Sequence, residues 1–112
     1  MSPGTRHTFR KLVRDRIPVI INGNGEQPSV RRLSDAEFLD ALFAKAREEL
    51  VEVRAAPPSE QLEELADLFQ VVLTLIETMG FSLPEVAAMA ERKGAEYGAF
   101  EQRLWLDHVD SP

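Results

Sequence analysis

The chain has no cysteine among its 112 residues. Disulfides and thiolate ligands are therefore excluded, and any bound metal must be held by nitrogen or oxygen donors. Histidine is nearly absent: His7 and His108 stand near the two ends, and neither follows a glutamate by three positions. The Glu-x-x-His pairs of a di-iron carboxylate bundle are thus missing. Gly23 and Gly25 have no Gly-Lys-Ser/Thr behind them, which excludes a Walker-type phosphate loop. No apolar run approaches the roughly 20 residues that span a bilayer, and the first ten residues lack the apolar stretch of a secretory signal. Positive charge is also short, with 13 Lys and Arg against 19 Asp and Glu for a net charge of −6. That balance argues against a nucleic-acid surface. The expectation is a soluble, cytoplasmic, single-domain protein over residues 1–112, with loose arms at 1–10 and 107–112 and with neither nucleic acid nor membrane as a partner.

What is present is acid at regular spacing. Glu49 and Glu52 form an E-x-x-E, and Glu64 and Asp67 form an E-x-x-D, with Pro57-Pro58 between them. Positions three apart share a helix face, so each pair aims two carboxylates at one point. The pairs are symmetric about Pro58. If residues 55–59 turn the chain into an antiparallel hairpin, Glu52 stands level with Glu64 and Glu49 with Asp67. Four carboxylates then converge on one helix–helix seam. Such a cluster repels itself, and a divalent cation is the natural compensation.

The surrounding pattern is helical. Ser34-x-x-Glu37 makes a capping box, and Phe38, Leu39, Leu42, Phe43, Ala46, Leu50 and Val53 recur at helical spacing. Glu49 falls close to two turns after Leu42, on the face that Leu42 buries. The helix from Leu62 to Met79 is apolar nearly all round, so it needs cover on several sides. A chain this short has few elements to supply it, which predicts a dimer or larger oligomer. Ser82-x-x-Glu85, with Pro84 in the first turn, opens another helix through about Lys93. Pro18 breaks any long helix in KLVRDRIPVII, residues 11–21, and Asn22–Gln27 reads as turn. Alternation at Phe100, Gln102, Leu104 and Leu106 suggests a short extended C-terminal segment. The fold class predicted is all-α: a helical bundle completed by oligomerisation.

Hard cations such as Mg²⁺, and Mn²⁺ as a substitute, take oxygen ligands and keep waters for substrate phosphates. The substrate class that follows is a phosphoanhydride, most simply a nucleoside triphosphate. The plain alternative is a solvated acidic face. Against it, Glu48 with Glu52 and Glu60 with Glu64 are like-charge pairs at i,i+4, which a purely structural helix tends to avoid. Lys45, Arg47 and Arg54 are the bases near enough to offset them.

The run Glu48, Glu49, Glu52, Glu64 and Asp67 resembles the E-E-x-x-E…E-x-x-D of the all-α nucleoside triphosphate pyrophosphohydrolases. These are the MazG-like enzymes, with the dimeric dUTPases and the phosphoribosyl-ATP pyrophosphohydrolases. KLVRDRIPVI is similar to the K-L-V-R-D-K-I-P opening of one MazG-like branch, and Lys93 through Gly98 to Phe100 to its closing K-x-x-x-R-G-G-F. The resemblance spans residues 11–106. It implies a helical bundle that forms a homodimer or homotetramer and hydrolyses a nucleoside triphosphate, standard or modified, to monophosphate and pyrophosphate in nucleotide-pool housecleaning. It implies Mg²⁺ on Glu49, Glu52, Glu64 and Asp67, with Glu48 orienting water or standing outside the ligands. Lys11, Arg14, Arg16 and Lys93 are then candidate phosphate contacts, or simply partners for the surplus acids. Two positions depart from the branch: Gln70 replaces an expected Glu, and Tyr97 an expected Arg. The competing expectations are a phosphoribosyl-ATP pyrophosphohydrolase-like enzyme, against which KLVRDRIP argues, and a non-catalytic module that binds a nucleotide or a protein.

Overall fold

The computed structural model describes residues 4–112 and is helical throughout its ordered elements. Four α-helices follow one another: α1 (Ile17–Gly23), α2 (Asp35–Ala55), α3 (Gln61–Thr78) and α4 (Leu83–Tyr97). No strand occurs among the described residues, as an all-α fold requires. Residues 1–3 of the expected N-terminal arm lie outside the described residues.

Helix α1 is short, seven residues, and no long helix runs through Pro18. Pro18 occupies the first turn, where its missing N–H has no intrahelical partner to lose. The helix then ends at the Asn-Gly-Asn-Gly turn expected from the sequence. Helix α2 opens as predicted. Ser34 Oγ accepts from the Glu37 N–H at 3.3 Å, and Glu37 Oε1 accepts from the Ser34 N–H at 3.2 Å. Those hydrogen bonds, with Arg31 at 3.2 Å, hold the Glu37 carboxyl below its ordinary range. Ser34→Ala is expected to cost about 1 kcal/mol in urea denaturation.

Ala56, Pro57 and one 3-10 turn (Pro58–Glu60) reverse the chain, and the principal packing of the molecule is α2 against α3. The second helix of the hairpin ends in a Schellman arrangement. The Phe81 N–H donates to the Ile76 carbonyl at 3.0 Å and the Gly80 N–H to that of Glu77 at 3.1 Å. Gly80 has φ +89°, which a residue with a Cβ adopts only at a cost. Ser82 then caps α4, with Glu85 completing a second capping box. Helix α4 runs on to Tyr97, four residues past the expected end. It leaves the hairpin at 102° and packs only on α3. Residues 103–112 form neither helix nor strand.

The core of one chain is small. Leu42, Val71 and Ile76 are its buried apolar side chains, and Glu49 is buried beside them. The radius of gyration is 19.7 Å, where a compact domain of this length has about 13 Å. The accessible surface is 10661 Å², where a folded monomer of this mass exposes about 6,200 Å². Much of the excess is apolar. Leu65, Phe69 and Val72 lie open on α3, Met79 at its C-cap, Val86 and Met89 on α4, and Phe100 and Trp105 on the tail. The near-uniform apolarity of α3 is therefore not consumed within the chain. Among the described residues no single helix is long and apolar enough to cross a membrane.

Candidate metal centre

The α2–α3 hairpin brings acids from both helices together. One carboxylate oxygen each from Glu49, Glu64 and Asp67 lies within 4.8 Å of the other two. Glu49 follows Leu42 on the buried face of α2, and both are inaccessible, at 7% and 1% exposure. Burying a carboxylate is costly unless it is paired. Its partner is Lys45, one turn earlier, whose Nζ stands 3.3 Å from Glu49 Oε1 and 3.5 Å from Glu48 Oε1. The i,i+3 and i,i+4 spacing of Lys45 to Glu48 and Glu49 is the signal in the sequence for this pairing.

Glu52 is not part of this group. It sits one turn nearer the hinge, on an exposed stretch of α2. Its charge still reaches Glu64. Partial desolvation pushes the Glu64 carboxyl above its ordinary value, and repulsion from Glu52, Asp67, Glu49 and Glu60 adds to that effect. The sign of the consequence follows. As pH rises above the ordinary 4.5, unfolded chains lose this proton before folded ones do, so stability falls through the window up to the raised folded value. In EDTA, Glu64→Gln should therefore raise the melting midpoint at pH 7 and leave it unchanged at pH 4. Thermal melts at the two pH values check this, and a lower midpoint at pH 7 would contradict it.

The N-terminal segment supplies two cations. Arg14 Nη2 lies 2.7 Å from Asp67 Oδ1, and Lys11 Nζ lies 3.9 Å from Glu48 Oε1. Because Glu48 is on α2 and Asp67 on α3, residues 11–14 straddle the seam. The other two basic candidates are elsewhere. Arg16 is the N-cap of α1 and makes no ion pair among the described residues. Lys93 lines a shallow apolar concavity with Phe81, Val86 and Met89. Gln70 and Tyr97 are both exposed.

Helix α2 thus brings Glu49, and α3 brings Glu64 and Asp67, to one seam, with basic residues at its rim. The family model for phosphoribosyl-ATP pyrophosphohydrolase matches residues 21–94. The chain belongs to this family. The matched stretch takes in Glu48, Glu49, Glu52, Glu64 and Asp67, and begins after the KLVRDRIP segment. The all-helical architecture is that of the phosphoribosyl-ATP pyrophosphohydrolase family and of the wider MazG-like group it belongs to. Among similar proteins is an uncharacterized protein of Mycolicibacterium smegmatis (strain ATCC 700084 / mc(2)155). It is 54% identical over 46 residues, which cover 41% of this chain and 47% of that one. The chain therefore aligns with about half the length of that relative. No solved structure matches.

Proposed function

We propose that the protein is a Mg²⁺-dependent pyrophosphohydrolase that converts a nucleoside triphosphate, standard or modified, to its monophosphate and pyrophosphate. Removal of surplus or non-standard nucleotides in the cytoplasm is the role that fits. The observation that carries this reading is the convergence of Glu49, Glu64 and Asp67 within 4.8 Å, inside a family of pyrophosphohydrolases. The donor set fits a hard cation. All three are carboxylates, and two oxygens on one octahedral Mg²⁺ lie roughly 3–4.2 Å apart, so small side-chain rotations close the gap. Mn²⁺ suits the same donors. When bound, such an ion neutralises the phosphate chain and activates water.

The chain's own residues divide the remaining work. Glu49, Glu64 and Asp67 would hold the ion, with Glu52 the next carboxylate towards the hinge. Glu48, paired with Lys45 and Lys11, is placed to orient a water as hydrogen-bond acceptor. That water adds across a phosphoanhydride bond, and the departing pyrophosphate takes the bonding electron pair. Arg14 and Lys11 face the phosphates from the rim; Arg16 and Lys93 stand further out and need movement or a second subunit to take part. The open apolar surface of α3 and α4 supports assembly of a homodimer or homotetramer from single-domain chains. Sedimentation equilibrium should show no lone monomer at micromolar concentration.

Incubation with Mg²⁺ and a panel of NTPs, dNTPs and modified nucleotides, scored for pyrophosphate and monophosphate, tests the proposal. Phosphoribosyl-ATP belongs in the panel because the family match favours it as a second reading. The KLVRDRIP segment, outside the matched stretch, supports the nucleoside triphosphates instead. Binding without pyrophosphate release from any member would favour a non-catalytic nucleotide-binding module.

A further inference from the structure

We propose that Arg14 exchanges partners when ligands bind, and so couples cation binding to binding of the phosphate chain. The proposal rests on the preceding functional reading and assigns one residue a positioning role within it. Leu12, Val13 and Ile17 are half-buried and pin the segment, while the charged ends of Lys11 and Arg14 remain exposed. The Ile17 N–H donates to the Arg14 carbonyl at 3.0 Å, which fixes where the Arg14 side chain departs. Its Nη2 engages Asp67 Oδ1 at 2.7 Å, with the two side chains 54% and 40% exposed.

A pair that open to water is screened and easily exchanged. Asp67 is also one of the three carboxylates of the cluster. A divalent cation there must share Asp67 with the guanidinium, or displace it, and the two positive charges repel. A phosphate chain changes that balance. It offers the planar guanidinium a pair of acceptor oxygens in the geometry a carboxylate offers. The cation alone therefore binds against Arg14, whereas the cation with a phosphate chain binds with its help. Lys11, at 3.9 Å from Glu48, is a looser point charge and does not contend for a cluster carboxylate.

Calorimetric titration of the full chain distinguishes this from general electrostatics. The probes are Mn²⁺ alone, and Mn²⁺ with the α,β-methylene analogue of whichever triphosphate the panel hydrolyses fastest. Arg14→Gln should bind Mn²⁺ alone several-fold tighter than wild type. The factor by which the analogue tightens Mn²⁺ binding should fall by about tenfold. Arg14→Lys, which keeps the charge and loses the fork, should recover only part of that factor. Arg32→Gln removes the same charge from an exposed residue that makes no ion pair among the described residues and should match wild type. An unchanged coupling factor in Arg14→Gln, or the same loss in Arg32→Gln, overturns the exchange and leaves the function standing. Failure of wild type to bind Mn²⁺ at all overturns both.

Discussion

Glu49→Gln is expected to lower pyrophosphate release by at least about a hundredfold, since losing even an outer-shell partner of a metal ligand costs 10–100-fold. Glu49 has the tightest constraints of the three clustered acids. It is 7% exposed, fixed by Lys45 at 3.3 Å, and aimed at Glu64 and Asp67. Glutamine keeps the shape and removes the anionic donor. The fold should survive the change, for two reasons. Lys45 keeps Glu48 at 3.5 Å, so no buried cation is stranded, and repulsion within the cluster falls. The readouts are steady-state pyrophosphate release at saturating Mg²⁺ and far-ultraviolet circular dichroism of the same sample. Native helix content with activity retained would remove Glu49 from the site.

The largest loss of stability is expected from Leu42→Ala. Leu42 is 1% exposed and is the single fully buried large side chain among the described residues. Truncating a buried leucine costs about 2–5 kcal/mol through lost transfer energy and the cavity left behind. With Val71 and Ile76 as its only buried apolar companions among the described residues, this core has few neighbours to collapse into the gap, so the upper half of that range applies. Leu42 and Glu49 share a face of α2, so loosening at Leu42 should also weaken the centre. Urea denaturation at a fixed chain concentration measures the first effect, because assembly would make the midpoint depend on concentration. Activity far below the denaturation midpoint measures the second. A cost under 1 kcal/mol would mean that the principal packing lies elsewhere.

The parts of this molecule readable from sequence are those set by local chemistry. Both capping boxes form where Ser34 and Ser82 precede a glutamate by three, because the hydrogen bonds that make them are internal to four residues. The Pro57-Pro58 hinge, and the spacing of acids on either side of it, anticipated the hairpin. The burial of Glu49 followed from its phase relative to Leu42. Pro18 bars a long helix in residues 11–21 and stands in the first turn of the short α1. Helix α4 continued past Lys93 because Ala95, Glu96 and Tyr97 carry no stop signal before Gly98, whose φ of +84° ends the helix.

Other features lie beyond any local rule. The Arg14–Asp67 contact joins residues 53 apart in the chain, and only the tertiary path of residues 11–16 selects Arg14 over Arg16. Glu52 matches Glu49 in motif and in helix, yet its carboxylate stands outside the cluster of Glu49, Glu64 and Asp67. Phe69, on the nearly all-apolar helix α3, is 53% exposed in the single chain. Helical periodicity marks an apolar face without saying whether the same chain or another copy covers it.

The central claim is that the carboxylates of the α2–α3 seam hold a divalent cation. Electron paramagnetic resonance titration of Mn²⁺ tests it most directly, comparing wild type with Glu49→Gln and Asp67→Asn. The account predicts saturable binding of at least one ion per chain in wild type, with Mg²⁺ competing, and loss of that binding in both variants. Equal binding by all three proteins, or none by wild type, would contradict it.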